Sequence, residues 1–385
     1  MTAPLSIAHT EASTGWGGQE IRVLTEAAGF IARGHRVRVW AAEGARILEE
    51  APRFGVPAAA LPIGAKRPRG AKALLSALAR EDIDIVNTHS STDSWLSAVA
   101  CRWLEIRGRP RPVLVRTRHV SIPVPTDVAT RWLYRRATAR IVTTGAALRD
   151  QLIRDNGVDP RRIESVPTGI DPVQFAPRDR HAARRALGLP LDAPLIGIVA
   201  TLRSWKGHRY LLDAMLQLAR ADTRLVIVGD GPQRAALEAQ TDALGLRGRV
   251  RFAGQQADVA PWLAAFDVFV LPSYANEGVP QALVQAMFCG IPSVTTAVGG
   301  IPEVARAGDT ALVIPAEDSR ALAQAIDALQ ADANLRARLA DAARAFVAPR
   351  YGLDAMLDRM ETVFRDALAD RCHTDERNTS KATGL

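Results

Sequence analysis

Short apolar runs alternate with helix-length segments along nearly the whole chain, in two successive series. The first series has seven runs, at residues 5–10, 35–44, 58–63, 83–90, 112–119, 140–145 and 162–169. The second has six, at residues 195–200, 224–231, 249–254, 267–273, 292–300 and 311–316. Strands that alternate with helices pair as parallel sheets built from βαβ units. The pattern predicts an α/β protein with two doubly wound domains facing each other across a cleft.

A break in this pattern divides the chain. Residues 168–179, TGIDPVQFAPRD, contain two prolines and a glycine that interrupt any periodicity. The 385 residues also exceed the ~250 to 300 at which one hydrophobic core stops growing. We expect a first domain over residues 1–172 and a second over 173–348. A helix over 349–370 is expected to pack back on the first domain, and the polar tail, 371–385, to be disordered.

The net charge of +8 lies entirely in the first half. Residues 1–175 contain 25 Lys and Arg against 17 Asp and Glu, whereas the remainder has 24 of each. This excess of basic residues has three interpretations: solvated surface, a face that binds anionic lipid headgroups or an anionic acceptor, and a nucleic-acid-binding surface. The charge is not interleaved with aromatic residues and belongs to no recognised nucleic-acid-binding module, so we expect no nucleic-acid partner.

Cysteine usage and hydropathy indicate a compartment. The three cysteines lie far apart without a C-x-x-C pair, and no apolar run reaches ~18 residues. The first residues lack the pattern of a signal peptide. We expect a cytoplasmic protein, with its basic first domain suited to a peripheral position on the inner face of the membrane.

Ligands of open parallel sheets bind at the carboxyl ends of strands, which selects a few loops. Gly17 and Gly18 precede a predicted helix, and glycines there let the backbone approach a ligand closely. Arg203 and Lys206 follow a buried strand and could neutralise a diphosphate. Glu277 stands just before a helix that is expected to begin at Pro280, and its carboxylate could accept hydrogen bonds from sugar hydroxyls.

The order of motifs resembles that of one enzyme family. Glycines near the N-terminus are followed by TGID, R-x-x-K-G, VGDGP and a block that reads EGVPQALVQAM, CGIPSV and GGIPE. Over about residues 3–365, this order resembles family 4 of the retaining GT-B glycosyltransferases. The resemblance implies two Rossmann-like domains, of which the first binds the acceptor and the second binds a nucleotide-sugar donor.

Two departures from the family pattern stand out. In the family's E-x7-E pattern the first Glu contacts the donor sugar and the second contacts the ribose; Glu277 matches the first, but Gln285 replaces the second. A carboxylate can accept two hydrogen bonds from a ribose diol, whereas an amide offers one carbonyl acceptor and one NH2 donor. Binding of the ribose is therefore expected to weaken by about 1 kcal/mol. Thr201 stands where many members carry an arginine, and Arg203 is the candidate replacement.

The resemblance also implies roles for other positions. His119 would line the sugar site near the anomeric carbon, and His89 with Ser90 would lie on the acceptor side. Arg203, Lys206 and the helix start at Pro280 would stabilise the leaving diphosphate. The remaining donor-binding positions would be Gly17, Gly18, Asp230, Gly231, Phe252, Gly254, Gly278 and Val279.

The resemblance implies that the enzyme uses neither a cofactor nor a metal ion, and that its reaction is drawn as a front-face displacement with retention. Asp82 and Asp84 resemble the D-x-D motif of metal-dependent glycosyltransferases. They enter a predicted strand at its amino-terminal end, however, which is the edge away from the ligands.

The expected function is transfer of a sugar from a nucleotide-sugar donor to a hydroxyl of a saccharide or lipid-linked acceptor, in cell-envelope polysaccharide or lipopolysaccharide biosynthesis. A sugar-nucleotide 2-epimerase on a similar scaffold is the alternative. A dinucleotide oxidoreductase is disfavoured because no G-x-G-x-x-G follows the first strand of either series. The sequence leaves open the nucleotide base, the sugar, the acceptor with its linkage, and the oligomeric state.

Overall fold

Two compact units make up the chain. The computed structural model describes residues 3–119 and 123–382, with side chains up to residue 371. One unit consists of Met1–Gly169 and Asp354–Leu385, and the other is Ile170–Leu353. The sequence had indicated a boundary three residues later, after residue 172. Within the described ranges, no helix is long and apolar enough to span a membrane.

The first unit contains a seven-stranded parallel sheet in the order β3-β2-β1-β4-β5-β6-β7. Its strands are β1 (Ser6–Glu11), β2 (Arg36–Ala42), β3 (Ala58–Leu61), β4 (Ile85–Thr88), β5 (Val113–Arg118), β6 (Arg140–Thr143) and β7 (Ile163–Ser165). All residues of β1 and β4 are buried, as expected for central strands covered by helices on both faces. The carboxyl ends of all seven strands therefore lie at one edge.

Helices connect these strands. They are α1 (Gly18–Ala32), α2 (Arg46–Glu50), α3 (Pro68–Arg80), α4 (Ser91–Ile106), α5 (Val128–Trp132) and α6 (Ala146–Asn156). A capping box starts α4, because Ser90 and Asp93 exchange side-chain and backbone hydrogen bonds. Gly157, with φ of 59°, ends α6 in the left-handed conformation typical of helix C-termini.

The second unit repeats this plan with six parallel strands in the order β10-β9-β8-β11-β12-β13. They are β8 (Leu195–Val199), β9 (Arg224–Val228), β10 (Val250–Gly254), β11 (Val268–Leu271), β12 (Ser293–Thr296) and β13 (Leu312–Ile314). Each of the thirteen apolar runs in the sequence therefore forms a strand. The helices are α7 (Arg180–Leu187), α8 (His208–Met215), α9 (Arg234–Ala243), α10 (Ala260–Ala265), α11 (Gln281–Phe288), α12 (Ser319–Ala331) and α13 (Ala333–Tyr351).

A last helix, α14 (Leu353–Ala382), completes the core of the first unit. The Phe364 ring lies 5.6 Å from that of Phe30. Leu357 packs so closely on Gly29 of α1 that a Cβ there would overlap it. Arg33 of the same unit forms an ion pair of 2.7 Å with Asp358. The helix is therefore held by both apolar and charged contacts.

Two local expectations were wrong. The tail predicted as disordered continues α14 as helix through residue 382, because no glycine or proline interrupts the chain between 353 and 382. Residues 383–385 lie outside the described residues. Pro280, expected in the first turn of a helix, is instead the extended N-cap residue of α11, with ψ of 118°.

Candidate active site

A lysine and a glutamate meet at the carboxyl edge of the second sheet. Lys206 ends a short 3-10 turn after β8, and Glu277 lies in the loop between β11 and α11. Lys206 Nζ is 2.6 Å from Glu277 Oε1, and Ser273 Oγ donates to the same oxygen at 2.6 Å. The two charged side chains are 20% and 5% exposed, so solvent screens their attraction only in part. Two of the residues predicted for the donor site are therefore partners.

Two glycines let the backbone fold this tightly. Gly207 and Gly299 have φ of 74° and 58°, a region that costs other residues strain. A Cβ on Gly207 would overlap the carbonyl oxygen of Pro272, and one on Gly299 would overlap that of Glu277. Gly300 N–H donates to the same Glu277 carbonyl at 3.1 Å. The loop that carries Glu277 is thus fixed from two sides.

Asn276 turns the chain into the site. Its φ of 56° is unusual for a residue other than glycine, although asparagine tolerates this region better than most. The turn places exposed Asn276 directly before Glu277, which is 4% exposed. The turn at Asn276 therefore directs the backbone from the surface into the protein within one residue, and the Glu277 carboxylate is buried as a result.

Helix α11 follows this loop. Gly278 and Val279 connect Glu277 to the N-cap residue Pro280, and Gly278 packs against Gly300. The N–H groups of a helix start carry partial positive charge, which favours an anion there. Gln285 lies half-buried in the second turn of α11. The structure thus keeps the predicted donor-site residues 277 to 285 in one loop-helix segment.

Backbone hydrogen bonds join the neighbouring loops after β8, β9 and β10. Leu202 N–H donates to Asp230 O at 3.0 Å, and Gly229 N–H donates to Gly254 O at 2.8 Å. Gly231 lies against the backbone of Leu202. The predicted positions in these loops therefore share one edge of the sheet.

Two side chains of this edge are occupied by aromatic contacts. Arg203 is exposed and its guanidinium lies 5.6 Å from the centroid of the Trp205 ring. Phe252 lies 5.0 Å below the guanidinium of Arg234. Lys206 is thus the cation that the structure places against Glu277, and Arg203 points to a different neighbour.

The first unit brings three histidines into a chain. His9 Nδ1 lies 2.9 Å from His89 Nε2, and His89 Nδ1 lies 2.9 Å from His119 Nε2. His9 and His89 are buried, whereas His119 is half-buried. Burial lowers the pKa of His9 to about 3, and burial lowers the pKa of His89 and of His119 well below the usual value. All three rings are therefore neutral near pH 7.

Ser90, predicted on the acceptor side, is the N-cap of α4 and bonds to Asp93. Asp93 also accepts from the N–H of His89 at 2.9 Å and from Thr10 Oγ1 at 2.7 Å. Burial raises the pKa of the Asp93 carboxyl, although these donors oppose the shift. The carboxyl group thus ties the ends of β1 and β4 to the start of α4.

The glycine loop is attached to the end of β1. Gly17 is the N-cap of α1, and Gly18 is the helix's first residue. Glu11 accepts from Ser13 N–H at 2.8 Å and from Gln19 Nε2 at 2.5 Å. Burial, followed by the charge of Asp93, raises the pKa of Glu11 well above its usual value.

Sequence reasoning missed His9, Glu11 and Ser273. For the first two, a signal was available: both lie in a strand whose residues are all buried, where a polar side chain needs a partner. Ser273 lies two residues beyond the end of β11 and gives no such signal.

The D-x-D sequence lies where expected. Asp82 and Asp84 precede β4, and Asp84 Oδ2 accepts from Ser6 N–H at 2.8 Å at the amino edge of the sheet. In the described part of the chain, no group of three or more His, Cys, Asp or Glu side chains has the geometry to hold a metal ion.

Two family models match the chain in succession. Residues 16–174 match Glycosyltransferase Family 4, and residues 193–332 match Glycosyl transferases group 1. The chain belongs to the family 4 glycosyltransferases. The family suggested by the sequence motifs is thereby confirmed. The second model lies within the second unit, and all but the last five residues of the first model lie in the first unit.

A curated relative is similar to most of this family 4 chain. The D-inositol 3-phosphate glycosyltransferase of Mycobacterium bovis is 32% identical over 310 residues, which cover 74% of this chain. The match covers 62% of the relative, so the chain spans less than two thirds of that protein's length.

Solved structures share the fold. A glycosyltransferase from Rickettsia africae superimposes with a TM-score of 0.83 at 19% identity, over 95% of this chain and 99% of its own. Anabaena HepE in complex with UDP-glucose gives 0.80 at 21% identity, over 94% and 100%. The predicted GT-B fold class, with two Rossmann-like α/β domains, is confirmed.

Proposed function

We propose that this chain is a retaining glycosyltransferase that moves a sugar from a nucleotide-sugar donor to a hydroxyl group. The observation that carries the proposal is the contact of Lys206 with Glu277 beside the start of α11. It combines a cation for a diphosphate, a carboxylate for sugar hydroxyls and a helix start for an anion.

Each group has a part in the proposed reaction. Lys206 and the N–H groups of α11 stabilise the negative charge that develops on the leaving diphosphate. Glu277 accepts hydrogen bonds from sugar hydroxyls and orients the ring. As the bond from the anomeric carbon to the diphosphate breaks, the acceptor oxygen bonds to the same face, and its proton passes to a departing phosphate oxygen. Lys206 and the start of α11 then take the place that a metal ion has in other transferases.

A uridine nucleotide is the first donor to test. Anabaena HepE was solved with UDP-glucose, and its fold matches this chain over most of its length. We propose that Gln285 reaches the ribose through its amide. A thermal-shift panel of nucleotide sugars identifies the base and sugar, because a ligand that binds the folded state raises the melting temperature.

Two substitutions test the site. Lys206→Ala and Glu277→Ala are each expected to lower transfer at least 100-fold, about 3 kcal/mol of lost transition-state stabilisation. Arg220→Ala is the matched control, since it breaks an exposed ion pair with Asp222 in the same unit. Retained transfer by both site variants would refute the assignment. Release of an epimerised free sugar from donor alone would favour the 2-epimerase instead.

For the acceptor, we propose an anionic molecule with a free hydroxyl. Residues 1–175 carry the whole net charge of +8, and the Mycobacterium bovis relative is named for inositol 3-phosphate. A phosphorylated polyol, a lipid-linked saccharide and a lipopolysaccharide core share this chemistry. Transfer to inositol 3-phosphate, to unphosphorylated inositol and to a lipopolysaccharide core can be compared directly. Equal rates with charged and uncharged acceptors would contradict the proposal.

An apolar stripe on α4 supports a position at an anionic membrane. Val99, Trp103 and Ile106 are 38%, 48% and 68% exposed, and their spacing of four and three residues places them on one helix face. Arg107 lies 4.9 Å over the Trp103 ring. Exposed arginines beside apolar side chains suit anionic lipid headgroups. We propose that this face holds the protein peripherally on the cytoplasmic side of the membrane.

Vesicle sedimentation tests this face. The protein is expected to bind vesicles that contain phosphatidylglycerol at low salt and to dissociate at high salt. Trp103→Ser should weaken binding, whereas Val173→Ser, at a residue 81% exposed in the other unit, should not. Binding that ignores both lipid charge and Trp103 would rule the membrane face out.

A further inference from the structure

The three histidines lie on one face of the first sheet, each two residues further toward its carboxyl edge than the one before. β1, β4 and β5 are neighbours, and His9 pairs in register with Asn87, which pairs with Val115. His89 thus lies two residues beyond the level of His9, and His119 two residues beyond that of His89. Steps of two keep the side chains on one face. The ring centroids are 5.2 Å apart at each step.

The number of protons requires both hydrogen bonds of the histidine chain to run in the same direction. Three neutral imidazoles have six ring nitrogens and three N–H protons. The two hydrogen bonds use four nitrogens and two protons. Because His89 must donate at one nitrogen and accept at the other, both bonds run the same way. The third proton is then on either Nε2 of His9 or Nδ1 of His119, at opposite ends of the chain.

The buried end decides between these two states. His9 Nε2 is buried and has no hydrogen-bond partner within residues 3–119 and 123–382. Orphaned N–H donors are rarer in protein interiors than acceptors that lack a partner. We propose that His9 and His89 act as positioning residues that hold His119 in its Nδ1–H tautomer. His9 Nδ1–H then donates to His89, and His89 Nδ1–H donates to His119 Nε2.

This inference rests on the proposed function for its consequence. A fixed tautomer makes His119 a hydrogen-bond donor at Nδ1, suited to a sugar or acceptor oxygen rather than to proton abstraction. The charged groups around the histidine chain include Arg22 on α1, which pairs with Glu26 at 3.4 Å, Arg116 and Arg118 on β5, and Asp93, which accepts from His89 N–H. The arginines disfavour a further proton on any of the three rings, so the direction persists near pH 7.

The tautomers can be read directly in the full-length protein. Long-range 1H–15N spectra of protein labelled at histidine, recorded at pH 7.5, distinguish Nδ1–H from Nε2–H rings. The signal of His119 is assigned by its loss in His119→Gln. We expect the Nδ1–H form for His9, His89 and His119. An Nε2–H form of His119 in the unsubstituted protein would overturn the proposal, whatever happens to the variants.

Three variants test the coupling. His9→Leu removes the donor to His89 and should release the tautomer of His119, whereas His9→Asn keeps an amide N–H at the place of Nδ1 and should restore it. His35→Asn replaces a buried histidine of the same unit that bonds to Leu5 N–H, outside the chain, and should leave the signal unchanged. An unaltered His119 tautomer in His9→Leu would contradict the inference.

Kinetics separate this inference from the proposed function. Groups that fix the tautomer of a metal-bound histidine are worth about 10- to 100-fold, and His9→Leu is expected to lower kcat by a similar factor, with recovery in His9→Asn. Absence of transfer in the unsubstituted protein, with the expected spectra, would refute the function and leave the tautomer assignment standing. If His9→Leu transfers sugar with an unchanged kcat, the role of the histidine chain is refuted and the proposed function still stands.

Discussion

Gly299→Ala tests whether close backbone contact holds the site together. At φ of 58°, alanine costs about 1 to 2 kcal/mol in backbone strain. The new Cβ would also overlap the Glu277 carbonyl oxygen, and forced displacement of this kind costs about 1 to 3 kcal/mol. We expect a loss of about 3 kcal/mol in unfolding free energy. For a unit of this size, ~2 to 4 °C per kcal/mol gives a melting temperature about 6 to 12 °C lower.

Gly308→Ala is the matched control. Gly308 has φ of 72° in the same unit, but nothing lies within 4 Å of the position of its Cβ. Its substitution should cost only the strain, about 1 kcal/mol or ~3 °C. Differential scanning fluorimetry with and without UDP-glucose measures both effects. Gly299→Ala should also abolish stabilisation by the ligand, since Glu277 must move. Equal melting temperatures in the two variants, or full ligand stabilisation in Gly299→Ala, would refute the reasoning.

Three further outcomes are expected. Gln285→Glu should keep or improve nucleotide affinity, measured by calorimetry; a large loss would show that the amide makes a contact that a carboxylate cannot make. His208 is buried, and burial lowers its pKa to about 3. Below pH ~6.5 the unfolded state therefore binds a proton that the native state does not bind, so the free energy of unfolding falls as the pH decreases. His208→Leu should remove about 1.4 kcal/mol of that loss per pH unit, checked by urea unfolding at pH 7.5 and 5.5. Arg184→Met should cost at least about 3 kcal/mol, because buried Arg184 bonds to Asp267 and three carbonyl groups; a change below 1 kcal/mol in urea would contradict this.

The strands were predictable because their signal is local. A buried parallel strand reads as a short apolar run wherever it lies in the sheet, so all thirteen were found. The segment from Glu277 to Gln285 was also accessible, since it is continuous in sequence. Lys206 meets Glu277 because β8 and β11 are adjacent, an order that the doubly wound plan implies.

The histidine chain could not be predicted in the same way. His9 lies in β1, whereas His89 and His119 directly follow β4 and β5, and their contact depends on register and on a two-residue step between neighbours. The conformation of Pro280 likewise depends on the packing of the loop before it. The helical tail was missed because its polar composition resembles that of a disordered segment, whereas a helix already anchored by packed residues extends at little cost.

The return of α14 to the first unit reverses the order of assembly during synthesis. The second unit is one continuous segment, Ile170–Leu353, so all of it has been translated before Leu357 and Phe364 exist. The first unit, although made earlier, still lacks the side chains that cover Gly29 and Phe30. The half of the protein that leaves the ribosome first is therefore the last to close its core, and a chain that ends before residue 354 would carry a finished second unit beside an open first one.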